Sequence, residues 1–444
     1  MSTTPPLLIT GADIAGEGAA DVLVVDGTIR AVGTDAGAEA PQGVSRLSVD
    51  GLVLLPGLVD LHTHLREPGR EDAETVETGS QAAALGGFTA VLAMANTTPV
   101  TDSAEVAETV LDLGRRAGYV DVQPVGAVTK SLAGEELAEL GLMARSRARV
   151  RVFSDDGRCV HDARLMRRAL EYVKTFDGVV SQHAQDPRLA DGSACCHEGE
   201  LSGRLGLPGW PAVAEETIVA RDVMLARHTG SRVHVAHVST AGSVEVVRWA
   251  KAQGIAVTAE VTPHHLMLTE AELGGYDPTY KVNPPLRPAE DTLALREALA
   301  DGTIDAVATD HAPHVRQDKE HAFADAAFGM LGLETALPVV STTMVAEGRM
   351  TWADVARTMS SAPARIARLA HHGQGVVAGA PANLTLVDPT RTQTVDRARS
   401  RSLSRNNPWH GRELTGAVHL TMLRGQVTAR EGLVWGADHE ESHR

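Results

Sequence analysis

Three cysteines in 444 residues (Cys159, Cys195 and Cys196) are too few for a disulfide framework, and two of them are adjacent. That scarcity points to a reducing compartment and excludes the stapled, secreted type of domain. Positive charge is also short: 41 Lys and Arg stand against 57 Asp and Glu, a formal charge of -16. A phosphate backbone needs a basic footprint, so a nucleic-acid partner is excluded. An anionic substrate would have to be attracted locally, against the field of the whole chain. No run of 18 apolar residues occurs, so a membrane-spanning helix is not expected. The opening MSTTPPLLIT has no basic flank followed by an apolar run, so no signal peptide is read and a cytoplasmic location is expected. Solenoid repeats and low-complexity tracts are missing too.

What is present is ordinary globular material, 43% hydrophobic and 22% charged, which suffices for a large core without staples. Residues 21–34 (DVLVVDGTIRAVGT) alternate about a DG turn and predict a β-hairpin. Residues 44–55 predict another short strand pair, and 383–388, 416–423 and 426–428 look similar near the other end. Strands at both ends predict one small β-sandwich-like domain, 1–56 with 376–444, around a larger unit of 57–375. The acidic tail 437–444 is expected to be loose. In the middle, apolar β-rich runs recur at 52–60, 90–95, 120–128, 149–153, 178–182, 232–238, 255–261 and 304–308. Helical periodicity fills the gaps, as in DARLMRRALEYVKTF. The alternation predicts an α/β fold, a (β/α)8 TIM barrel.

The chemistry-bearing residues fall where those strands end. The first runs into Asp60-Leu61-His62-Thr63-His64, and residues two apart on a strand face the same way. The fourth ends in Ser154-Asp155-Asp156, the fifth in Ser181-Gln182-His183, the sixth in His234-Val235-Ala236-His237 and the eighth in Thr309-Asp310-His311. A single such residue is more simply a hydrogen-bonded core histidine or a capping aspartate. Five strand ends carrying His or Asp at the catalytic face of a barrel point instead to a zinc-type site. Amide hydrolysis needs a polarised carbonyl, an activated water and a proton shuttle, and a metal supplies the first two. Asp310 is placed to be both ligand and shuttle.

These segments resemble a known family. Residues 60–69 (DLHTHLREPG) are similar to the first signature of the dihydroorotases, and 308–314 (ATDHAPH), with Lys319 beyond, to the second. Lys281-Val282-Asn283-Pro284-Pro285-Leu286-Arg287 and Phe328-Gly329 match further family segments, and the likeness runs from about 20 to about 435. It implies a distorted barrel of the amidohydrolase type with a small β-domain. It implies metal ligands at His62, His64, His183, His237 and Asp310, one or two zinc ions, and a bridging carboxylate in the Asp155-Asp156 pair. Asp156 is chosen for its spacing to His183, and Asp155 is then a neighbour or cap. Substrate contacts are implied at His64, Arg66, Asn96, Asn283, His314 and the Phe328-Gly329 backbone, with Asp310 as the catalytic residue. The implied activity is zinc-dependent, reversible cyclisation of N-carbamoyl-L-aspartate to L-dihydroorotate in pyrimidine biosynthesis. A homodimer, and aspartate transcarbamoylase as a candidate partner, come with the same resemblance.

Ala95 stands where the family commonly has Pro, and Cys195-Cys196-His197 is a second departure. Allantoinase and dihydropyrimidinase are the competing enzymes, but they carry a carboxylated lysine at the end of strand four. Asp155-Asp156 stands there instead, and of the five lysines only Lys130 competes. A scaffold without catalysis is the third reading, disfavoured because every ligand position is filled. His264 and His265 are set aside as ligands, His234 is expected to be packed, and His371, His372 and His410 are expected at the surface.

Overall fold

The computed structural model describes residues 5–435, so the acidic tail lies outside the described residues. The first five strands are β1 (Leu7–Ile14), β2 (Ala19–Val25), β3 (Thr28–Val32), β4 (Ser45–Ser48) and β5 (Val53–Pro56). The predicted hairpin is β2–β3, antiparallel about Asp26 and Gly27, both at positive φ (48° and 74°) as a tight two-residue turn requires. The predicted pairing within 44–55 does not form. β4 and β5 both run parallel to β1, because β1 is long enough to pair one at each end.

The chain changes sheets at Gly57. Val53–Pro56 belongs to the terminal sheet, and β6 (Leu58–Thr63) opens the barrel-like region, so the predicted run 52–60 is two strands. Gly57 sends its N–H to Asn383 O, while Leu58 sends its own to Gly87 O. A Cβ at Gly57 would overlap the Thr89 side chain, so only glycine fits the crossing.

The remaining predicted runs each form one strand: β7 (Phe88–Ala93), β8 (Asp121–Pro124), β9 (Val152–Phe153), β10 (Val179–Gln182), β13 (Val233–Val235), β14 (Val257–Val261) and β15 (Ala306–Val307). A small ribbon, β11 (Cys196–His197) with β12 (Gly209–Trp210), interrupts them. β6–β7–β8 and β9–β10–β13–β14–β15 are two parallel sheets. Parallel bridges from Gly126 to Phe153 and from Thr63 to His311 join them at both ends, so the eight strands close into a ring. Leu61, Leu92, Val152, Val179 and Ala306, from strands all round this ring, touch one another in one buried cluster. That is possible only inside the ring, where Ile366 and Ala367 close the cluster. Helices follow the strands and bury one stripe. In Ala163–Val173, capped by Asp162, the stripe is Leu165, Met166, Ala169, Leu170 and Val173.

Four strands, β16 (Leu384–Thr394), β17 (Glu413–Leu423), β18 (Gln426–Arg430) and β19 (Leu433–Val434), bring the chain back to its start. β16 lies antiparallel to β5, which makes one nine-stranded sheet from both ends of the chain. Its β3 edge turns back onto 379–382, the approach to β16, through Ile29 N–H to Ala380 O and Ala382 N–H to Gly27 O. The fold encloses Ile9, Val22, Val24, Leu54, Leu386 and Met422. His372, expected at the surface, is buried beside this junction. Asp121 and Thr89 supply its partners, at 2.8 Å from Nε2 and 3.2 Å from Nδ1. No helix among the described residues is long and apolar enough to cross a membrane.

Candidate metal centre

The C-terminal ends of the ring strands deliver four imidazoles and two carboxylates to one buried point. His62 lies on β6 and His64 just past it, Asp156 follows β9, His183 follows β10, His237 follows β13 and Asp310 follows β15. His62 and His64 both aim Nε2 at Asp156, at 3.2 Å from Oδ1 and Oδ2 respectively. His183 Nδ1 and His237 Nε2 approach the same Oδ1, each at 3.3 Å, and lie 2.8 Å from one another. Asp310 Oδ1 is 3.1 Å from His64 Nε2 and 3.6 Å from His62 Nε2. Two groups able to hold a cation result, His62–His64–Asp156 and Asp156–His183–His237, and Asp156 is common to both.

Partners behind the rings fix which nitrogen faces inward. Glu260 Oε1, on β14, accepts from His62 Nδ1 at 2.9 Å. Asn96 Oδ1 accepts from His64 Nδ1 at 2.9 Å, and Gln185 Oε1 from His183 Nε2 at 3.0 Å. Such outer partners set tautomer and orientation in metal sites. Burial pushes Glu260 up, but the hydrogen bonds from His234 and His62 prevail and hold it at about 2. Burial alone would lower His62. The Asp156 charge, then Asp310 and Glu260, instead raise it well above the ordinary histidine value. Asp156 is itself driven up by burial and then held well below the usual carboxylate range, His62 being the main cause. The cluster therefore favours positive charge at its centre. His62 Nε2 is a buried atom without a hydrogen-bond partner, and the N/O donor set is one that zinc accepts. The residues fit a metal ion.

Asp155 has another task. Its Oδ1 accepts from Val128 N (2.8 Å) and Thr129 N (3.0 Å), and its Oδ2 from Thr129 Oγ1, which ties the β8 and β9 loops together. The two neighbours should separate on substitution. Asp156→Asn is expected to lose metal from the His183–His237 side. Asp155→Asn should keep metal content but lower the melting temperature, losing about 1–3 kcal/mol from a buried acceptor pair. Metal analysis and calorimetry on both variants check this, and a reversed pattern moves the ligand role to Asp155.

The predicted substrate contacts follow local links: Asn96 touches His64, Arg66 touches His314, and Asn283 touches Gln185, the partner of His183. Arg66, at φ 62°, donates Nε to Pro313 O (3.0 Å) and NH2 to His314 Nε2 (3.3 Å). Burial lowers the guanidinium to about 10, and burial, followed by the Arg66 charge, lowers His314 to about 3, so the histidine is a neutral neighbour. Asn283 gives Nδ2 to Gln185 Oε1 at 3.2 Å and keeps a buried Oδ1 without a partner. Gly329, at φ 135° and packed on Ala312, has both backbone groups engaged. Its N–H goes to Lys281 O, and its C=O accepts from Lys319 Nζ and Asn406 Nδ2. Phe328 lies with the Lys281 ammonium 4.3 Å over its ring.

No lysine enters the centre. Lys130 is exposed and pairs with Glu136 at 3.1 Å, Lys174 and Lys251 sit on outer helices, and Lys281 and Lys319 hold the 327–329 loop. Two residues that sequence reasoning missed are Glu260 and Gln185. A lone acid in an apolar strand, and a glutamine two positions past a ligand, were the available signals. His234 is packed as expected, with Nε2 3.0 Å from Glu260 and Nδ1 2.8 Å from Thr258.

Comparison with known proteins gives a consistent set of likenesses. A family model described as dihydro-orotase-like matches residues 51–243. The dihydroorotase of Streptomyces coelicolor is 62% identical, covering 96% of this chain and 98% of the relative. That of Mycobacterium tuberculosis is 57% identical, covering 96% and 99%. Among solved structures, a dihydropyrimidinase from Brevibacillus agri matches with a TM-score of 0.84 at 22% identity, covering 97% of this chain and 96% of that one. An L-hydantoinase (dihydropyrimidinase) from Arthrobacter aurescens matches with a TM-score of 0.85 at 26% identity, covering 97% of both. Likeness over nearly the whole of both chains shows a shared mixed α/β fold.

Proposed function

Because this chain belongs to the dihydroorotase family, a family of hydrolases acting on cyclic amide bonds, we propose that it opens L-dihydroorotate and closes N-carbamoyl-L-aspartate at the centre described above, with zinc as the metal. His62, His64, Asp156 and Asp310 would hold one ion, and Asp156, His183 and His237 a second. Zinc bound there supplies Lewis acidity to the ring carbonyl and to the attacking water. The reading takes the eight-stranded ring as a distorted (β/α)8 barrel spanning 57–375, with 1–56 and 376–444 as the second domain. Assembly as a dimer, with or without an aspartate transcarbamoylase, belongs to it as well. The three free cysteines fit a cytoplasmic location.

The observation that carries the reading is the position of Asp156 between the two groups of imidazoles, where its 3.2 and 3.3 Å contacts leave no place for a lysine. From the chain's side, hydrolysis divides into binding, orientation and proton movement. Arg66 offers a planar fork to the substrate carboxylate, and neutral His314 adds a hydrogen-bonding neighbour without a second charge. Asn283 Oδ1 is a buried acceptor suited to a ring N–H. As water adds to the ring carbonyl carbon and the C–N bond breaks, Asp310 takes the proton from water and passes it to the departing nitrogen. Ring closure reverses each of these transfers.

The test is an assay of both directions on purified protein, alongside metal analysis. Turnover of dihydroorotate with bound zinc supports the reading. Turnover of allantoin or dihydrouracil in its place would favour the competing amidases. The carboxylate clamp has its own test. Arg66→Lys keeps the charge and loses the fork, so KM for dihydroorotate should rise about ten-fold or more, in line with the ~1.5–3 kcal/mol of a hydrogen bond to a charged group. Metal content should not change. An unaltered KM removes Arg66 from the clamp.

A further inference from the structure

Strand β14 has so far supplied only Glu260, which acts from behind the His62 ring. Below the rim it carries Glu260, and just above the rim Thr262 caps the short helix Pro263–Met267. The two adjacent histidines in that helix are treated very differently. His265 is satisfied on both sides, with Nδ1 2.7 Å from Thr262 Oγ1 and Nε2 donating to Pro285 O at 3.3 Å. His264 is only 2% exposed, and its Nε2 has no hydrogen-bond partner at all.

A buried polar nitrogen left bare costs about 1–3 kcal/mol, and native structures rarely tolerate it without a reason. Few buried side-chain atoms among the described residues share this condition, and two of them, His62 Nε2 and Asn283 Oδ1, already belong to the centre. β14 pairs with β13 and β15, whose ends carry His237 and Asp310, so His264, just past the end of β14, stands at the rim of the same centre. Its backbone cannot swing away. Pro263 starts the helix, Thr262 Oγ1 receives His265 N–H, and His264 O receives Leu268 N–H at 2.8 Å.

Resting on the dihydroorotase reading, we propose that His264 is a catalytic residue whose Nε2 donates a hydrogen bond to the oxygen of the ring carbonyl under attack. That oxygen gains negative charge when water adds and loses it when the C–N bond breaks, so a fixed donor there acts most strongly between the two states. No proton leaves the imidazole, since the shuttle is Asp310. Burial, then the charges of neighbouring histidines, keeps His264 well below the ordinary histidine value, which makes it a neutral donor at working pH.

The experiment compares wild type, His264→Leu and His264→Gln, each as the zinc-loaded full chain. Four quantities are measured: metal content, affinity for orotate (an unreactive unsaturated ring bearing the same carboxylate), kcat and KM in both directions. His264→Leu should keep its metal and bind orotate within about three-fold of wild type. Its kcat should fall by about 10²–10³ in both directions, the range seen when one oxyanion donor is removed. His264→Gln, whose amide can reach with an N–H, should recover at least ten-fold over the leucine variant. Loss of metal in both variants would overturn the proposal by making His264 a ligand or a structural post. Retention of near-wild-type kcat in the leucine variant, or a glutamine variant no better than leucine, would overturn it too. Absence of dihydroorotate turnover in zinc-loaded wild type is a separate result, and it would overturn the functional reading beneath the proposal.

Discussion

Asp310→Asn should lower kcat for ring opening and ring closure alike by at least about 10²-fold, the usual contribution of a general acid–base group. The amide keeps a weak oxygen ligand but cannot carry a proton, so zinc content should change less than rate. Asp310 is suited to start as the base. Burial pushes its carboxyl up, but the charge on His62 and the hydrogen bond from His64 more than reverse this and hold it well below the usual carboxylate range. Ring opening needs the ionised form and ring closure the protonated form. The first rate should therefore rise with pH through an apparent pKa, and the second fall over the same interval. That pKa belongs to the coupled carboxylates, metal and water, not to Asp310 alone. Steady-state kinetics from about pH 5 to 10 in both directions, with zinc determined for each sample, checks the expectation. Near-wild-type kcat both ways in a variant that keeps its zinc leaves Asp310 a ligand only.

His62→Ala should strip the metal and abolish turnover, and His64→Ala should do the same. Each substitution removes a nitrogen that sits 3.2 Å from Asp156. His62 carries the larger structural debt, because Glu260 would lose one of its two imidazole partners and remain buried. Glu260→Gln is the graded comparison. It keeps every ligand but loosens the His62 ring, so metal affinity should fall about 10–100-fold without vanishing. Metal content after dialysis against a chelator separates the two cases. Full activity with bound zinc in His62→Ala or His64→Ala defeats the ligand assignment.

The strands and their ends were legible because a parallel strand buried on both faces leaves a continuous apolar run, and catalytic residues cluster where such runs stop. Asp156 is preferred to Asp155 only through the family resemblance, whose spacing to His183 it matches, and the two carboxylates have different surroundings in the structure. Asp155 faces the backbone of Val128 and Thr129, whereas Asp156 faces four imidazoles. Pairing was less legible. Whether β4 and β5 join each other or β1 depends on partners distant in sequence. The change of sheet at Gly57 depends on Thr89 and Asn383. His372 could not be placed for the same reason, since Asp121 lies far from it along the chain. Glu260 and Gln185 act behind the rings of His62 and His183, and a lone acid in an apolar strand or a glutamine two positions past a histidine is too weak a signal to name such a partner.

The sheet assembled from both ends of the chain has a consequence for biosynthesis. β5 presents Leu54 and Leu55 to β16, with Val53 opposite Val387 and Pro56 opposite Leu384. While the polypeptide is emerging from the ribosome, β1 to β5 are made first and β16 almost last. The whole intervening ring can be synthesised while one edge of β5 remains unpaired. An apolar edge strand left open is a template for association with other chains. Closing it late also joins residues that are very far apart along the chain, which makes for slow final assembly. Nascent chains halted just short of residue 384 should therefore depend on a chaperone to stay dispersed, although all the strands of the ring that carries the histidines have been made in them.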